Sequence, residues 1–347
     1  MGDRLTILMT GAGAPGGPGI LKALLCEPNI DLHIADANSY ASGRFLHPDN
    51  FHVIPKATDP NFVDTVLNLC VENGIDLIIP LVTRELFEFS KAKEVFDQKG
   101  IRIIISDPED LFIANNKCAL YHHLCKENIV LPAFFIVETV DELLSAAKNL
   151  GYPNSPIVIK PCIGNGSRGI RVLDEGFDQF DSLFNHKPNS LFTTLEKVVD
   201  AIGKHQPPKL LISEYLPSDE LTIDTIVDCG EVKDLLIRKR ISISSGISTA
   251  GSFIAEPSVT DYIERIVKTL PGLLGPIGFQ VKKSIRGDYL LLECNPRLQG
   301  TSVSALGLGV NLPLRSISYA LGEEVAPMKR TSGVAFVRYY DEVFFDY

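Results

Sequence analysis

The stretch YLLLECNPRLQG at residues 289–300 places several polar side chains directly after an apolar run. Because side chains alternate between the two faces of a β-strand, Glu293, Asn295 and Arg297 are predicted to share one face. Carboxylate and amide oxygens suit Mg²⁺, and a guanidinium two residues further on can neutralise a transferring phosphoryl group. The pattern therefore predicts either a phosphate-handling metal site or a solvated strand end that carries a salt bridge.

A second pattern is IVIKPCIGNGSRGI at residues 157–170, in which Lys160 ends an apolar strand and a glycine-rich loop follows. Such a loop can aim backbone N–H groups at phosphate oxygens while the lysine meets the same oxygens. A Walker A loop would place its lysine after the glycines, so the pattern is not that motif. The alternative is an ordinary hairpin turn, which glycines also favour.

A third pattern, LLISEYLPSDELTID at residues 210–224, is an apolar strand that runs into a hinge and a turn. The backbone of Glu214, Tyr215 and Leu216 could pair with the edge of an adenine ring. Glu220 lies six residues after Glu214, and its carboxylate could hold ribose hydroxyls. By itself this pattern is a weak signal.

In this order, with a strand glutamine at Gln280 before the Glu-x-Asn-x-Arg segment, the patterns resemble the ATP-grasp superfamily. The chain is most similar to the carbamoyl-phosphate-synthase large-subunit branch and its single-unit carboxylate–amine ligase relatives. The resemblance implies an ATP- and Mg²⁺-dependent ligase that activates a carboxylate as an acyl phosphate for attack by an amine or ammonia. ADP and phosphate would be released. Carbamoyl-phosphate synthesis and a non-catalytic nucleotide-binding subunit remain the alternatives.

The resemblance also implies a role for individual positions. The catalytic residues would be Arg297, Lys160 and Arg240. The nucleotide-binding residues would be Lys117, Lys160, Gly164, Gly166, Ser167, Gly169, Glu214, Tyr215, Leu216 and Glu220. The ligands of Mg²⁺, with Mn²⁺ as a substitute, would be Gln280, Glu293 and Asn295.

Three departures from the family pattern bear on the substrate. The chain has one ATP-grasp unit, whereas a carbamoyl-phosphate synthase large subunit has two in tandem. The family's second arginine falls on Gly300, and a histidine expected near the phosphates is replaced by Ser248. These changes argue against carboxyphosphate or carbamate as the substrate.

An N-terminal segment, GAGAPG at residues 11–16, satisfies the dinucleotide-binding pattern G-x-G-x-x-G, and Asp36 follows at the expected distance. The literal match predicts a nicotinamide enzyme. The family resemblance instead implies a Rossmann-like domain that helps to bind the acceptor substrate and carries no NAD. Asp36 is then a strand-end residue or a substrate contact. Arg84 is a candidate for binding a substrate carboxylate, with ordinary solvation at a helix start as the alternative.

The hydrophobic patterns predict an α/β fold followed by α+β structure. Strand and helix patterns alternate over the first hundred residues, as in a parallel sheet covered by helices on both faces. Later strands recur without regular intervening helices, as in antiparallel sheets. The predicted domains are a Rossmann-like pre-ATP-grasp domain at residues 1–110 and an ATP-grasp N-terminal lobe with a glycine-loop lid at residues 111–213. A C-terminal lobe with the metal site follows at residues 214–325, and a β extension at residues 326–347.

Composition narrows the class of partner. A formal net charge of −10 without a basic cluster argues against nucleic acid. No apolar run reaches the length of a membrane span, so a cytoplasmic protein with small-molecule substrates is predicted. Seven scattered cysteines without a C-x-x-C pair predict reduced thiols. The aromatic end RYYDEVFFDY predicts either a strand that forms a homodimer or a strap over the last sheet.

Overall fold

The computed structural model describes residues 4–164, 168–185, 191–203, 205–244 and 246–345. The chain forms two compact units. The first unit consists of three segments, 1–112, 221–280 and 294–347, and the second consists of 113–220 and 281–293. The units do not follow the four predicted domains one for one, because the chain passes from one unit to the other four times. The domain assignment stays a prediction.

The first unit begins with a five-stranded parallel sheet of order β3-β2-β1-β4-β5. Its strands are β1 Leu5–Thr10, β2 Ile30–Asp36, β3 Phe51–Val53, β4 Leu77–Ile79 and β5 Arg102–Ile103. Helices α1 Gly17–Leu25, α2 Ser42–Leu46, α3 Phe62–Glu72 and α4 Thr83–Asp97 connect them, with a 3₁₀ turn at Pro48–Asn50 and helix α5 Pro108–Asn115 after the sheet. The predicted α/β half is confirmed.

Both faces of this sheet are buried, as its continuous apolar strands require. One face packs on α3 and α4 through residues such as Leu8, Phe62 and Phe89, which are fully buried. The other face packs on α1, and Leu298 and Ile317 from the C-terminal part of the same unit join that core. The C-terminal segment is therefore an integral part of the N-terminal core.

The first unit also holds most of a six-stranded sheet of order β15-β14-β11-β12-β13-β16. Its elements are β11 Glu220–Asp228, β12 Glu231–Ser244, β13 Ile247–Ile254, α10 Pro257–Lys268, β14 Gly275–Lys283, β15 Tyr289–Asn295, a 3₁₀ helix at Ser302–Leu308, α11 Leu312–Leu321 and β16 Ala335–Val337. The central pairs β11–β12 and β12–β13 are antiparallel, as predicted.

One helix of this region was missed by the strand-rich interpretation. Helix α10 separates β13 from β14, and its buried residues Val259, Tyr262, Ile263, Ile266 and Val267 recur with helical spacing. The period of 3.6 was present in the sequence and marks an amphipathic helix.

The second unit is built on a five-stranded sheet of order β6-β10-β7-β8-β9. Its elements are α6 Lys117–Lys126, β6 Phe134–Val137, α7 Val140–Asn149, β7 Ile157–Pro161, β8 Arg171–Leu173, α8 Gln179–Phe184, β9 Phe192–Thr193, α9 Leu195–Ile202 and β10 Leu210–Glu214. Strand β10 pairs antiparallel with both β6 and β7. Helices α7 and α9 cover one face, so Lys160 on β7 belongs to the opposite face.

Candidate active site

Strand β15 presents the residues around Glu293 with the predicted alternation. Glu293, Asn295 and Arg297 are half-buried, whereas Cys294, Pro296 and Leu298 are buried. The apolar face packs inward, so the three polar side chains share the accessible side. The alternation of half-buried polar and buried residues that the sequence predicted is therefore present over residues 293–298.

In the second unit, two lysines predicted to bind phosphate lie close to Glu293. Lys117 begins helix α6, and its ammonium lies 3.2 Å from a Glu293 carboxylate oxygen. The same ammonium donates to the Gly164 carbonyl at 3.1 Å. Lys160 ends the apolar part of β7, and its ammonium lies 3.5 Å from the Leu292 carbonyl, beside Glu293. These residues come from three separate stretches of the sequence.

Burial makes Lys160 an unusual cation. Its side chain is 6% exposed, and burial lowers the pKa of its ammonium to about 8, with Glu293 opposing the shift and Lys117 adding to it. Glu220 also opposes the shift, and Lys282 adds to it. These five groups comprise three lysines and two glutamates, so the cluster carries excess positive charge when all are ionised. Such a cluster favours an anionic ligand.

The hinge segment lies at the end of β10 in the same unit. The Glu214 carboxylate accepts a hydrogen bond from the Ala133 backbone at 2.9 Å, so this side chain fixes the hinge. The Lys282 ammonium lies 3.3 Å from the Leu216 carbonyl and 5.6 Å from the centre of the Tyr215 ring. Sequence reasoning missed Lys282, although it lies two residues after Gln280 and so on the same face of β14.

In the first unit, the Arg297 guanidinium donates two hydrogen bonds, one to the start of α4 and one to the residue that follows it. Its Nε donates to the Thr83 hydroxyl at 3.0 Å, and its Nη1 donates to the Leu298 carbonyl at 2.9 Å. Fixing the guanidinium plane in this way is what an electrostatic catalyst needs, because a preorganised charge pays no reorganisation cost during the reaction. Thr83 was not singled out from the sequence, where it is one threonine among many.

A buried polar network supports the segment after Arg297. Arg238 is 1% exposed and donates to the Asp224 carboxylate and the Thr301 hydroxyl, both at 2.6 Å. Gln299 and Ser302 donate to the other Asp224 oxygen at 3.1 and 2.7 Å. Among the described residues the Nη2 of Arg238 has no hydrogen-bond partner, whereas the other bonds of this buried network tie the segment after Arg297 to β11 and β12.

Arg240 lies on β12, where it contacts the loop before β13. Its Nε donates to the Ser248 hydroxyl at 2.9 Å, and its Nη2 donates to the Gly246 carbonyl at 2.5 Å. Ser248 is the position at which the family pattern has a histidine. The substitution therefore places a small hydroxyl against the guanidinium that was predicted to serve the acceptor.

The N-terminal glycines are explained by close packing within the first unit. Gly11 has a φ of +73°, and a Cβ at Gly16 would lie 2.7 Å from the Gly300 Cα. The Asp36 carboxylate, at the end of β2, accepts hydrogen bonds from the backbone of Gly13 and Asn38, each at 2.8 Å. The glycine pattern thus has structural reasons that require no dinucleotide, and Asp36 lies at the predicted strand end.

Helix α4 begins beside the glycine segment at residues 11–16 and carries a buried acidic residue, Glu85. Arg84 is exposed there, while Glu85 is 4% exposed and accepts from the Thr10 hydroxyl at 2.5 Å. Burial raises the pKa of the Glu85 carboxyl to about 7, against the effect of that hydrogen bond. Thr83 and Glu85 therefore join the start of α4 to Arg297 and to β1 respectively. Glu85 also escaped sequence reasoning.

The structure does not describe two of the predicted nucleotide-binding positions. Gly166 and Ser167 lie outside the described residues, while Gly164 and Gly169 flank them, and Gly169 has a φ of +77°. Within the described ranges, no three His, Cys, Asp or Glu side chains cluster in a way that could hold a metal. The predicted metal ligands combine one carboxylate with two amides, and their role stays a prediction.

The prediction of reduced thiols is wrong for one pair. Cys118 and Cys162 form a disulfide, with a Cα–Cα distance of 5.0 Å. The other five cysteines, all within the described residues, form no disulfide. The two partners are 44 residues apart in sequence, so nothing in their spacing indicated the pair. Only the packing of α6 against the end of β7 brings them together.

Comparison with known proteins identifies the class. The N-terminal domain of PylC-like proteins matches residues 8–104. A family described as an ATP-grasp in the biosynthetic pathway with the Ter operon matches residues 206–343. The two matches indicate an ATP-grasp domain preceded by a PylC-like N-terminal domain, which confirms the resemblance to the ATP-grasp superfamily.

Relatives and structural neighbours agree with this class. The carbamoyl phosphate synthase large chain of Lachnoclostridium phytofermentans is 24% identical over 284 residues, which is 76% of this chain and 24% of that relative. The large chain of Rubrobacter xylanophilus is also 24% identical, over 70% of this chain and 22% of that relative. The chain therefore spans about a quarter of the length of these curated relatives.

Among solved structures, an N5-carboxyaminoimidazole ribonucleotide synthetase in complex with ADP has a TM-score of 0.72 at 14% identity, covering 96% of this chain and 81% of its own. The biotin carboxylase domain of Hydrogenobacter thermophilus 2-oxoglutarate carboxylase, with MgADP and bicarbonate, has a TM-score of 0.67 at 18% identity, covering 94% and 72%. An L-amino acid ligase from Bacillus licheniformis has a TM-score of 0.65 at 16% identity, covering 92% and 75%. These likenesses confirm the predicted fold.

None of the helices within the described ranges combines the length and the apolar character that crossing a bilayer requires.

Proposed function

We propose that this protein is an ADP-forming ligase that joins a carboxylate to an amine or ammonia at the expense of ATP. The observation that carries the proposal is the buried cluster of Lys117, Lys160 and Glu293 in the second unit. Two ammonium groups beside one carboxylate, at the start of a helix and the end of a strand, are suited to a polyphosphate with a bound divalent cation.

The donor set fits ATP and Mg²⁺. The excess positive charge around the buried Lys160 would be neutralised by phosphate oxygens, which would restore its pKa towards the ordinary value. Gln280, Glu293 and Asn295 supply only oxygen acceptors to a cation, which is the chemistry that Mg²⁺ prefers. Bound Mg²⁺ would supply charge neutralisation on the phosphates during transfer.

The reaction would proceed in two displacements. A carboxylate oxygen attacks the γ-phosphorus of ATP, the bond to the β-phosphate oxygen breaks, and ADP leaves. The amine nitrogen then attacks the acyl carbon of the acyl phosphate, phosphate leaves, and the nitrogen loses a proton. No covalent bond to the protein is needed, so the chain contributes positioning and electrostatics.

Each side chain has a defined task in this scheme. Lys117 and Lys160 hold the phosphates, and the hinge at Glu214–Leu216 offers backbone groups to the adenine. Arg297, fixed by Thr83 and Leu298, stabilises the charge on the transferring phosphoryl group and the acyl phosphate. Arg240 and Arg84 are the cations proposed to meet the acceptor.

Carbamoyl-phosphate synthesis is the second candidate, because the curated relatives are carbamoyl phosphate synthase large chains. Gly300 and Ser248 stand where that branch has an arginine and a histidine, so the carboxylate–amine ligase is favoured. Bicarbonate-dependent ADP formation without any organic carboxylate would reverse this preference.

A thermal-shift titration tests the nucleotide assignment. A non-hydrolysable ATP analogue with Mg²⁺ at 100 times its Kd should stabilise the protein by about 2.7 kcal/mol and raise the melting temperature by several degrees. NAD⁺ and NADP⁺ serve as controls and should give no shift. A shift with NAD⁺ alone would overturn the proposal, whereas a Mg²⁺-dependent shift with the analogue justifies a screen of carboxylates and amines for ADP release.

A further inference from the structure

Each cysteine of the disulfide lies within two residues of a lysine proposed to bind phosphate. Cys118 directly follows Lys117 at the start of α6, and Cys162 follows Lys160 by two residues at the end of β7. Both partners and both lysines belong to the second unit. The bond therefore joins the two elements that position the cations.

Noncovalent contacts already hold these two elements together. The Lys117 backbone N–H donates to the Cys162 carbonyl at 2.8 Å, and the Lys117 ammonium donates to the Gly164 carbonyl at 3.1 Å. Asn116 caps the helix by accepting from the backbone N–H groups of Cys118 and Ala119, both at 3.1 Å. The bonded geometry of the cysteines is thus the geometry in which the lysines lie together, so the cross-link is compatible with an assembled site.

The cross-link also acts on the base of the glycine loop. Cys162 lies two residues before Gly164, at which that loop begins. Tethering Cys162 to α6 restricts the backbone conformations open to residues 162–164. Nucleotide binding then costs less conformational entropy, because these segments are already ordered. This effect is preorganisation.

The position of Cys118 at the start of a helix favours its thiolate, the form that takes part in thiol–disulfide exchange. Thiolates are stabilised at helix N-termini, and Cys118 lies in the first turn of α6. Both cysteines pack in a cluster with Tyr121 and Leu211. Cys118 is 4% exposed and Cys162 is 5% exposed. Among the described free cysteines, Cys125 lies on the same helix but is exposed and unpaired.

We propose that Cys118 and Cys162 are a reversible thiol–disulfide modification site, and that the disulfide form binds nucleotide more tightly because it holds Lys117, Lys160 and the base of the glycine loop in place. The second half of this proposal rests on the proposed function. The oxidant is a small disulfide such as oxidised glutathione. One cysteine thiolate attacks it and releases one thiol, and the second thiolate attacks the mixed disulfide and releases the other thiol. The two cysteine protons end on the two released thiols.

Thiol counting tests the bond itself. The protein is equilibrated with oxidised or reduced glutathione, denatured, alkylated and weighed. In the oxidised protein, two cysteines should carry neither an alkyl nor a glutathionyl group, whereas the reduced protein should carry seven alkyl groups. Peptide mapping should identify these two as Cys118 and Cys162. Seven cysteines that carry an alkyl or glutathionyl group after oxidation would overturn the site.

Nucleotide affinity tests the coupling. The Kd for a non-hydrolysable ATP analogue with Mg²⁺ is expected to rise about tenfold on reduction, the size expected if two long side chains must then be ordered on binding. The double variant Cys118→Ser/Cys162→Ser should bind at the weaker level in both redox states, and Cys125→Ser should keep the full response. Equal affinities in both states of the native protein would overturn the coupling.

A failure of the proposed function can be distinguished from a failure of the modification site. If neither redox state binds the ATP analogue, the nucleotide coupling falls together with the proposed function. The thiol count is independent of nucleotide, and it would still confirm or overturn the modification site.

Discussion

At the scale of single residues, the polar side chains of β15 are explained by the alternation of a strand. Glu293, Asn295 and Arg297 could be chosen from the sequence because an apolar run ended in residues of suitable chemistry. Their partners could not be chosen in that way. Thr83 and Lys282 act through contacts with residues far away in the sequence, and a lone threonine or lysine carries no local signal.

Arg297 is predicted to be required for turnover but not for nucleotide binding. Arg297→Ala removes a charge that is needed when the phosphoryl group moves, so the rate of substrate-dependent ADP release should fall by about 10²–10³-fold. The Kd for the ATP analogue should change little. Arg286→Ala, at an exposed turn, is the matched control and should be active. Near-normal ADP release from the Arg297 variant would show that its assigned role is wrong.

Lys160 should make nucleotide affinity depend on pH. Its pKa is lowered by burial to about 8, so the ammonium is lost above that pH while the analogue's phosphates stay fully ionised. The Kd for the ATP analogue should therefore rise above pH 8, by at most about tenfold per pH unit. A fluorescence titration between pH 7 and 9.5 measures this. Lys160→Arg keeps its charge, and a slope as steep as that of the native protein would contradict the assignment.

Glu85 should make the fold less stable as pH rises. Its pKa is raised by burial from 4.5 to about 7, so the folded state binds more protons than the unfolded state between these values. The free energy of unfolding should fall across that window, by roughly 3 kcal/mol in total. Glu85→Gln should remove this fall, and urea unfolding at pH 4.5 to 8 measures it. Glu94→Gln, exposed on the same helix, should keep the native profile, and an unchanged profile in Glu85→Gln would refute the explanation.

At the scale of elements, the order of strands and helices followed from hydrophobic periodicity, whereas their close approaches did not. The βα alternation of the first hundred residues predicted the parallel sheet, and the later strands without regular intervening helices predicted the antiparallel sheets. Helix α10 was missed because strands surround it, although its 3.6-residue period was available. The contact between Gly16 and Gly300 joins segments 284 positions apart, and no local pattern encodes it.

Gly16 is predicted to be required for stability. A Cβ at residue 16 would lie 2.7 Å from the Gly300 Cα. Both positions belong to the backbone, which can shift only at a cost in free energy. Gly16→Ala should therefore destabilise the protein by about 1–3 kcal/mol. Gly300→Ala is the matched control, because its Cβ would meet nothing closer than 3.8 Å. Chemical denaturation compares the two variants, and equal losses of stability would contradict the packing explanation of the glycine motif.

At the scale of the whole molecule, the C-terminal segment closes the last sheet. Strand β16 pairs antiparallel with β13 through Ala250, Gly251 and Ser252, and Phe336 packs against Phe253. Residues 335–337 thus close one edge of the chain's own sheet, while the segment RYYDEVFFDY, for which a strap or a dimer strand was predicted, begins directly after them. The aromatic residues beyond them, including Tyr339, Tyr340 and Phe344, are exposed, and homodimer formation stays a prediction.

Removal of residues 334–347 should uncover the edge of β13 and part of the core beneath it. An unpaired edge strand beside exposed apolar residues is a site for association, so the truncated protein should melt several degrees lower and self-associate. Sedimentation velocity over a range of concentrations, with the full chain as control, measures this. A truncated protein that stays monomeric and melts normally would show that this segment is dispensable.

The sequence by itself determined the class of protein, because the period of apolar residues and the order of a few polar motifs are local properties of the chain. Tertiary structure alone decided which cations share a carboxylate, which glycines must lack a side chain, and which cysteines meet. The reason is physical: the burial that lowers the pKa of Lys160 and the 5.0 Å approach of Cys118 to Cys162 arise only when distant elements pack together.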